Sequence, residues 1–280
     1  ISTRRIEANG LRFTIDEAGT GNDVALLLHG FPESRLAWRK QMPVLAEMGW
    51  RVVAPDMRGY ADSSRPEGVK AYQVDNLAAD VAALFDALGA KRRLLIGHDW
   101  GGMVAWAAAA MKVTPLDGLI VMNAPNAGVY GKLVKRSLSQ MMASWYVMFF
   151  QLPGLPEQAL AANNFALIDY LWRYWSAPDH ADAAHIADIK RVLAEPGALT
   201  ATLGYYRAMF DPGKADPHLD TLRQSMARPI SVPTLALCGG ADPRAELMQD
   251  QALYFTGEYR FELVPGAMEG AAGAVKGYAR

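Results

Sequence analysis

The chain has 280 residues, half of them hydrophobic, enough to bury a sizeable interior as one large domain or as a core carrying an insertion. Its 28 basic and 29 acidic residues leave a formal charge of -1, a balance in which nothing suggests a nucleic-acid or anionic-membrane partner. The single cysteine, Cys238, lies in an apolar run and can form no intramolecular disulfide, so a reducing, cytoplasmic setting is expected. The opening residues are charged, and Met141 to Phe150 is too short to span a bilayer, so a soluble protein, monomer or homodimer, is expected.

Arg5 to Glu7 and Leu11 to Ile15 read as two strands joined by a tight Asn9-Gly10 turn. Val24 to Leu28 is a fully apolar strand running into His29-Gly30-Phe31-Pro32, an irregular loop at the strand end where open α/β sheets bind ligands. Ser34 to Met48 carries helical periodicity, Arg51 to Ala54 is a strand, and Asp56 to Ser64 is a polar loop. Asn76 to Leu88 shows one apolar helical face, ended by Gly89.

Next comes the stretch on which the rest turns, Leu94-Leu95-Ile96-Gly97-His98-Asp99-Trp100-Gly101-Gly102. An apolar strand meets an Ala-rich helix beginning near Met103, so the sharp corner falls at Asp99, with Gly97 and Gly101 two residues either side. An aspartate with an ordinary pKa of about 3.9 is already ionised at neutral pH and needs no base to attack. Such a nucleophile suits displacement at a saturated carbon bearing an oxygen or halide leaving group. An acidic N-cap on a core helix is the other reading of the same residue.

Leu119 to Met122 is a further strand, and the alternation so far predicts a parallel sheet covered on both faces, an α/β fold. After Pro125 the pattern turns helical over Ser137 to Phe150, Pro156 to Trp175, Ala181 to Ala194 and Ala198 to Phe210. Residues 125–229 therefore read as an inserted helical lid, with 1–124 and 230–280 forming the core. The lid aromatics Trp145, Tyr146, Phe149, Phe150, Trp172, Tyr174, Trp175, Tyr205 and Tyr206 are candidates either to line an apolar pocket or to pack the lid itself. Thr234 to Cys238 and Phe261 to Val264 complete the sheet.

With His29-Gly30-Phe31-Pro32, Gly97-His98-Asp99-Trp100-Gly101-Gly102, the helical insertion and Gly240-Ala241-Asp242 in this order, the chain resembles the α/β-hydrolase superfamily and, within it, the epoxide hydrolases. The resemblance implies that Asp99 opens an epoxide, that the backbone N–H groups of Phe31 and Trp100 form an oxyanion hole, and that Asp242 orients a histidine. It further implies that two lid phenols, Tyr146 and Tyr206, donate hydrogen bonds to the epoxide oxygen, with Tyr205 a possible substitute for Tyr206. A phenol suits an alkoxide leaving group, which needs a proton, whereas a halide does not.

The family pattern also implies a histidine beyond the Pro-Gly turn after the last strand. Here Val264-Pro265-Gly266-Ala267-Met268 leads to Glu269, and no histidine follows His218. Either Glu269 replaces the base or a segment containing it is absent. His29 and His98 belong to the two motifs, and His180 and His185 are expected to be surface or structural residues of the lid. The expectation is an Asp99 alkyl ester from a small apolar epoxide, hydrolysed slowly because the water-activating base is missing. A haloalkane dehalogenase, in which Trp100 holds a halide, and a non-catalytic binder of hydrophobic ligands are the competing readings. No metal and no cofactor are expected: the histidines lack ligand spacing and no phosphate-binding glycine loop is present.

Overall fold

In a computed structural model, described for residues 1–126, 142, 144–176, 182–210, 217–242 and 245–265, eight strands form one sheet. They are β1 (Ser2–Ala8), β2 (Leu11–Ala18), β3 (Asp23–Leu28), β4 (Arg51–Pro55), β5 (Arg92–His98), β6 (Gly118–Met122), β7 (Thr234–Gly239) and β8 (Tyr259–Val264). Their order is β1-β2-β4-β3-β5-β6-β7-β8, antiparallel for β1 with β2 and β2 with β4, parallel elsewhere. The first hairpin closes through Asn9 and Gly10, at φ 51° and 69°, the left-handed pair that a two-residue turn requires.

The central strands are buried on both faces, and their side chains divide with period two. Val24, Leu26 and Leu28 join the core cluster shared with helices α2 (Val74–Ala87) and α3 (Trp100–Met111). Ala25 and Leu27 join the cluster containing Trp38 and Met42, beside α1 (Gln41–Glu47). Helix α3 is apolar around nearly its whole circumference, as a helix enclosed by sheet and neighbours must be.

One expectation is corrected. Ser34 to Met48 is not one helix but a 3-10 turn, Arg35–Trp38, followed by α1. Pro43 explains the break: in a continuous helix its ring would clash with the carbonyl of Arg39, whereas in the first turn of α1 no donor is lost. The Asp56 to Ser64 loop is polar yet largely buried, because its charges are matched internally. Arg58 binds Asp80 of α2 through two nitrogens, Arg35 reaches both Asp16 and Asp56, and the Ser63 hydroxyl donates to the Asp56 carbonyl at 2.7 Å.

Between β6 and β7 the described chain is helical: α4 (Trp145–Phe149), α5 (Leu155–Trp175), α6 (Ala183–Leu193), α7 (Ala198–Arg207) and α8 (Pro217–Met226). Helix α5 breaks at Ala162 to Phe165, where Asn163, Asn164 and Phe165 take positive φ. Helix α8, which periodicity did not announce, packs against α3, and α9 (Ala245–Gln249) follows β7. The main core runs without interruption from Leu28 through Trp100, Tyr205 and Tyr206 to Phe150, Leu160 and Ile168, so these helices share the sheet's interior. No described helix is long and apolar enough to cross a membrane.

Candidate active site

Asp99 occupies the corner between β5 and α3 with φ 50° and ψ -119°, a conformation that is strained for any residue carrying a Cβ. The surroundings enforce it. A Cβ on Gly101 would lie 2.1 Å from the Leu28 carbonyl oxygen, and one on Gly97 2.3 Å from that of Gly101, so strand and helix approach as only glycine permits. Asp99 does not behave as an N-cap: its side chain makes no capping hydrogen bond to α3. Its Oδ1 instead accepts the Phe31 N–H at 2.7 Å. Gly30 allows that approach, since a Cβ there would fall 2.4 Å from the Asp99 Cβ.

The loop bearing Phe31 is itself tied down. His29 is fully buried; its Nε2 accepts the Met57 N–H at 3.0 Å and its Nδ1 lies 2.9 Å from the Gly30 carbonyl oxygen, so the neutral ring carries its proton on Nδ1. Burial pushes its pKa down to about 4. Trp100 opens α3 immediately after Asp99, and its backbone N–H is one of the first-turn donors for which a helix has no internal acceptor.

Asp99, Trp100, Met103, Asn123, Ala124, Pro125, Ser144, Tyr146, Val147, Tyr206 and Met209 line a cavity of about 80 Å³. Tyr146 and Tyr206 thus meet above the carboxylate from two different helices, their rings edge to face with centroids 6.0 Å apart. Burial first, then the nearby Asp99 and Tyr146, raises the Tyr206 phenol well above its ordinary pKa, while a hydrogen bond from the Trp100 indole pulls the other way. A phenol so placed keeps its proton at neutral pH. Tyr205 faces elsewhere: its hydroxyl donates to the Arg58 carbonyl at 2.8 Å, and its ring packs among Tyr60, Tyr72 and Trp100. Of the other aromatic candidates, Phe150 is core, and Trp145 and Tyr174 are substantially exposed.

The two phenol-bearing helices are stitched together. Gln151 Nε2 donates to the Tyr206 carbonyl at 2.9 Å, Arg207 Nε donates to the Phe150 carbonyl at 3.0 Å, and the same guanidinium pairs with Glu157 of α5.

Asp242, beyond the end of β7, is buried and stands behind the cavity wall rather than in it. It is connected through Asn123, a residue that sequence reasoning passed over: the amide Nδ2 donates to Asp242 Oδ2 at 2.7 Å while Asn123 itself lines the cavity. Its left-handed φ of 51° at a strand end was the available signal, legible only as an asparagine after an apolar run. His185, expected to be a surface or structural residue, is buried. His180, Gly266 and Glu269 lie outside the described residues, so the expectations placed on them stay with the sequence. Among the described residues no group of His, Cys, Asp or Glu is arranged to hold a metal ion.

Comparison with known proteins agrees with this architecture. The family model of the α/β hydrolase fold matches residues 24–254. The AB hydrolase superfamily protein YfhM of Bacillus subtilis is 36% identical over 73% of this chain and 72% of its own length. Epoxide hydrolase A of Mycobacterium tuberculosis is 33% identical, covering 94% of this chain and 90% of that protein. The crystal structure of epoxide hydrolase A from Mycobacterium thermoresistibile superposes with a TM-score of 0.80 at 27% identity, over 96% of this chain and 92% of that one.

Proposed function

The chain belongs to the α/β-hydrolase fold family, among the epoxide hydrolases, and from that premise we propose that it opens a small apolar epoxide through an alkyl ester on Asp99. The observation carrying this reading is the convergence of one carboxylate and two phenols on a single cavity. Asp99 Oδ1 is engaged by the Phe31 N–H, which leaves Oδ2 to attack the less hindered epoxide carbon. The C–O bond of the ring breaks, its electron pair goes to the epoxide oxygen, and Tyr146 and Tyr206 supply the hydrogen bonds and the proton which that oxygen needs. Oδ1 becomes the ester carbonyl oxygen. The Phe31 N–H, joined by that of Trp100, is then already aimed at the atom that takes negative charge when water attacks, and such a donor is worth about 3 kcal/mol.

Residues 125–229 act as the lid and residues 1–124 and 230–280 as the core, with α8 seating the lid on α3. Asp242 serves the second half-reaction, the hydrolysis of the ester. Among the described residues no histidine lines the cavity. Asp99 attacks without a base, so the first half-reaction needs none, whereas general-base assistance to water speeds hydrolysis of the ester about 10²- to 10⁴-fold. The phenols favour an epoxide over a haloalkane, and the Trp100 indole N–H, which would otherwise hold a halide, is turned to Tyr206. Incubation with 1,2-epoxybutane followed by peptide mass spectrometry tests the reading: an adduct of the epoxide's mass on Asp99 is expected. Halide release from a haloalkane with no epoxide adduct overturns it in favour of a dehalogenase.

A further inference from the structure

Glu33 lies two residues beyond Phe31 and is buried. Its Oε1 accepts from His185 Nε2 at 3.1 Å, and its Oε2 stands 3.3 Å from His98 Nδ1. Three parts of the molecule meet in those contacts: the loop that supplies the Phe31 N–H, the residue immediately before Asp99, and helix α6 of the segment between β6 and β7. The direction of the His185 contact is fixed by its other nitrogen. Arg39 Nη1 lies 3.0 Å from His185 Nδ1, and a guanidinium has only donors, so Nδ1 is the acceptor and the ring proton sits on Nε2, pointing at Glu33. Arg39 also pairs with Asp182, whose side chain caps α6 by accepting the His185 backbone N–H at 3.0 Å.

Burial alone would raise the Glu33 carboxyl; the hydrogen bond from His185 and the nearby His98 ring hold it well below the usual carboxylate range. Docking of a helix does not call for such an arrangement. Apolar side chains of similar volume usually seat a helix as well as a buried ion pair does, without the desolvation. A buried carboxylate with one oxygen hydrogen-bonded to α6 and the other beside His98 does something packing cannot: the bond to His185 is directional and constrains how α6 sits against the loop, as a methyl contact does not.

We propose that Glu33 is a positioning residue. Its carboxylate holds the Phe31 donor and the Asp99 corner in register and, through His185, makes that register depend on the seating of α6. The proposal rests on the reading of Asp99 as the nucleophile. It implies that when α6 is seated the carboxylate is correctly aimed, and that loosening α6 slows the attack even though no residue touching the epoxide has changed.

The test uses the 280-residue chain and the variants His185→Phe, which keeps a planar ring without an N–H, His185→Gln, which keeps a donor, and Glu33→Gln. Two quantities are read: the rate at which 1,2-epoxybutane labels Asp99, and hydrogen exchange of the Phe31 and Trp100 to Met103 amides. His185→Phe and Glu33→Gln are expected to slow labelling about 10-fold or more, the cost of a small misplacement at a reacting centre, and to speed exchange at both stretches. His185→Gln is expected to restore labelling to within about 3-fold, as one recovered hydrogen bond should. Wild-type labelling in folded His185→Phe overturns the proposal, as does a His185→Gln variant as slow as His185→Phe; if Glu33→Gln fails to fold, the His185 pair decides. If the wild-type chain forms no adduct, the nucleophile reading falls separately. Exchange then decides the coupling: faster exchange in His185→Phe than in His185→Gln upholds it, and equal exchange overturns it.

Discussion

The two halves of the candidate site are held in place by different physics. At the Asp99 corner the backbone is the constraint: strand, loop and helix approach within distances that only glycine allows, and the side chain is placed by a covalent path of a few bonds. The phenols opposite are placed by packing. Tyr206 sits among Phe31, Trp100, Tyr146 and Phe150 in edge-to-face contacts with centroids 5.0–6.0 Å apart, and its helix joins the rest of the fold mainly through apolar neighbours. A corner built by sterics fails abruptly when a single atom is added. A roof built by packing tolerates shape changes but loses its chemistry with one hydroxyl.

The largest effect separating the halves is expected at Asp99, the proposed nucleophile. Asp99→Asn retains the corner and should abolish adduct formation, with no epoxide mass found on the corner peptide and an unchanged melting temperature. Gly101→Ala should break the corner instead, because its Cβ would meet backbone rather than a flexible side chain; a loss of about 3 kcal/mol or more is expected in urea unfolding. Tyr206→Phe removes only a donor and should slow labelling of Asp99 about 10²-fold while leaving stability nearly intact, as single-turnover mass spectrometry would record.

Acid provides a test of the loop that carries Phe31. His29 is buried neutral with a pKa near 4, against about 6.5 in the unfolded chain, so below pH 6.5 the unfolded state binds more protons than the folded one. Its contribution is therefore complete above about pH 6.5 and is lost as pH falls toward 4, amounting to about 3 kcal/mol, measurable as a falling denaturant midpoint. The smallest effect is expected for Tyr205→Phe. Losing its hydrogen bond to the Arg58 carbonyl should cost about 1 kcal/mol and leave the labelling rate close to wild type, so that neighbouring tyrosines divide cleanly into scaffold and chemistry.

The strands, the corner and most of the helices between β6 and β7 were legible because each rests on local pattern: apolar runs for the two-faced sheet, Gly97 and Gly101 for the turn, Gly89 for a helix end. Tyr146 and Tyr206 were named through family resemblance, since nothing local separates Tyr206 from Tyr205; only the rotation of α7 does. Asn123 and Glu33 escaped notice, and the partner of His185 was not named, for a related reason. Each acts on a partner far along the chain, Asn123 on Asp242 and His185 on Glu33, and periodicity carries no information about such pairs. The burial of the Asp56 to Ser64 loop was illegible for the converse reason, its charges being neutralised by residues such as Asp80 that look solvent-facing in a helical pattern.

Gln151 and Arg207 tie the phenol-bearing helices to each other, so the positions of Tyr146 and Tyr206 over the carboxylate are set jointly. On the proposed mechanism, one displaced helix would therefore cost the epoxide oxygen both of its hydrogen-bond donors rather than one.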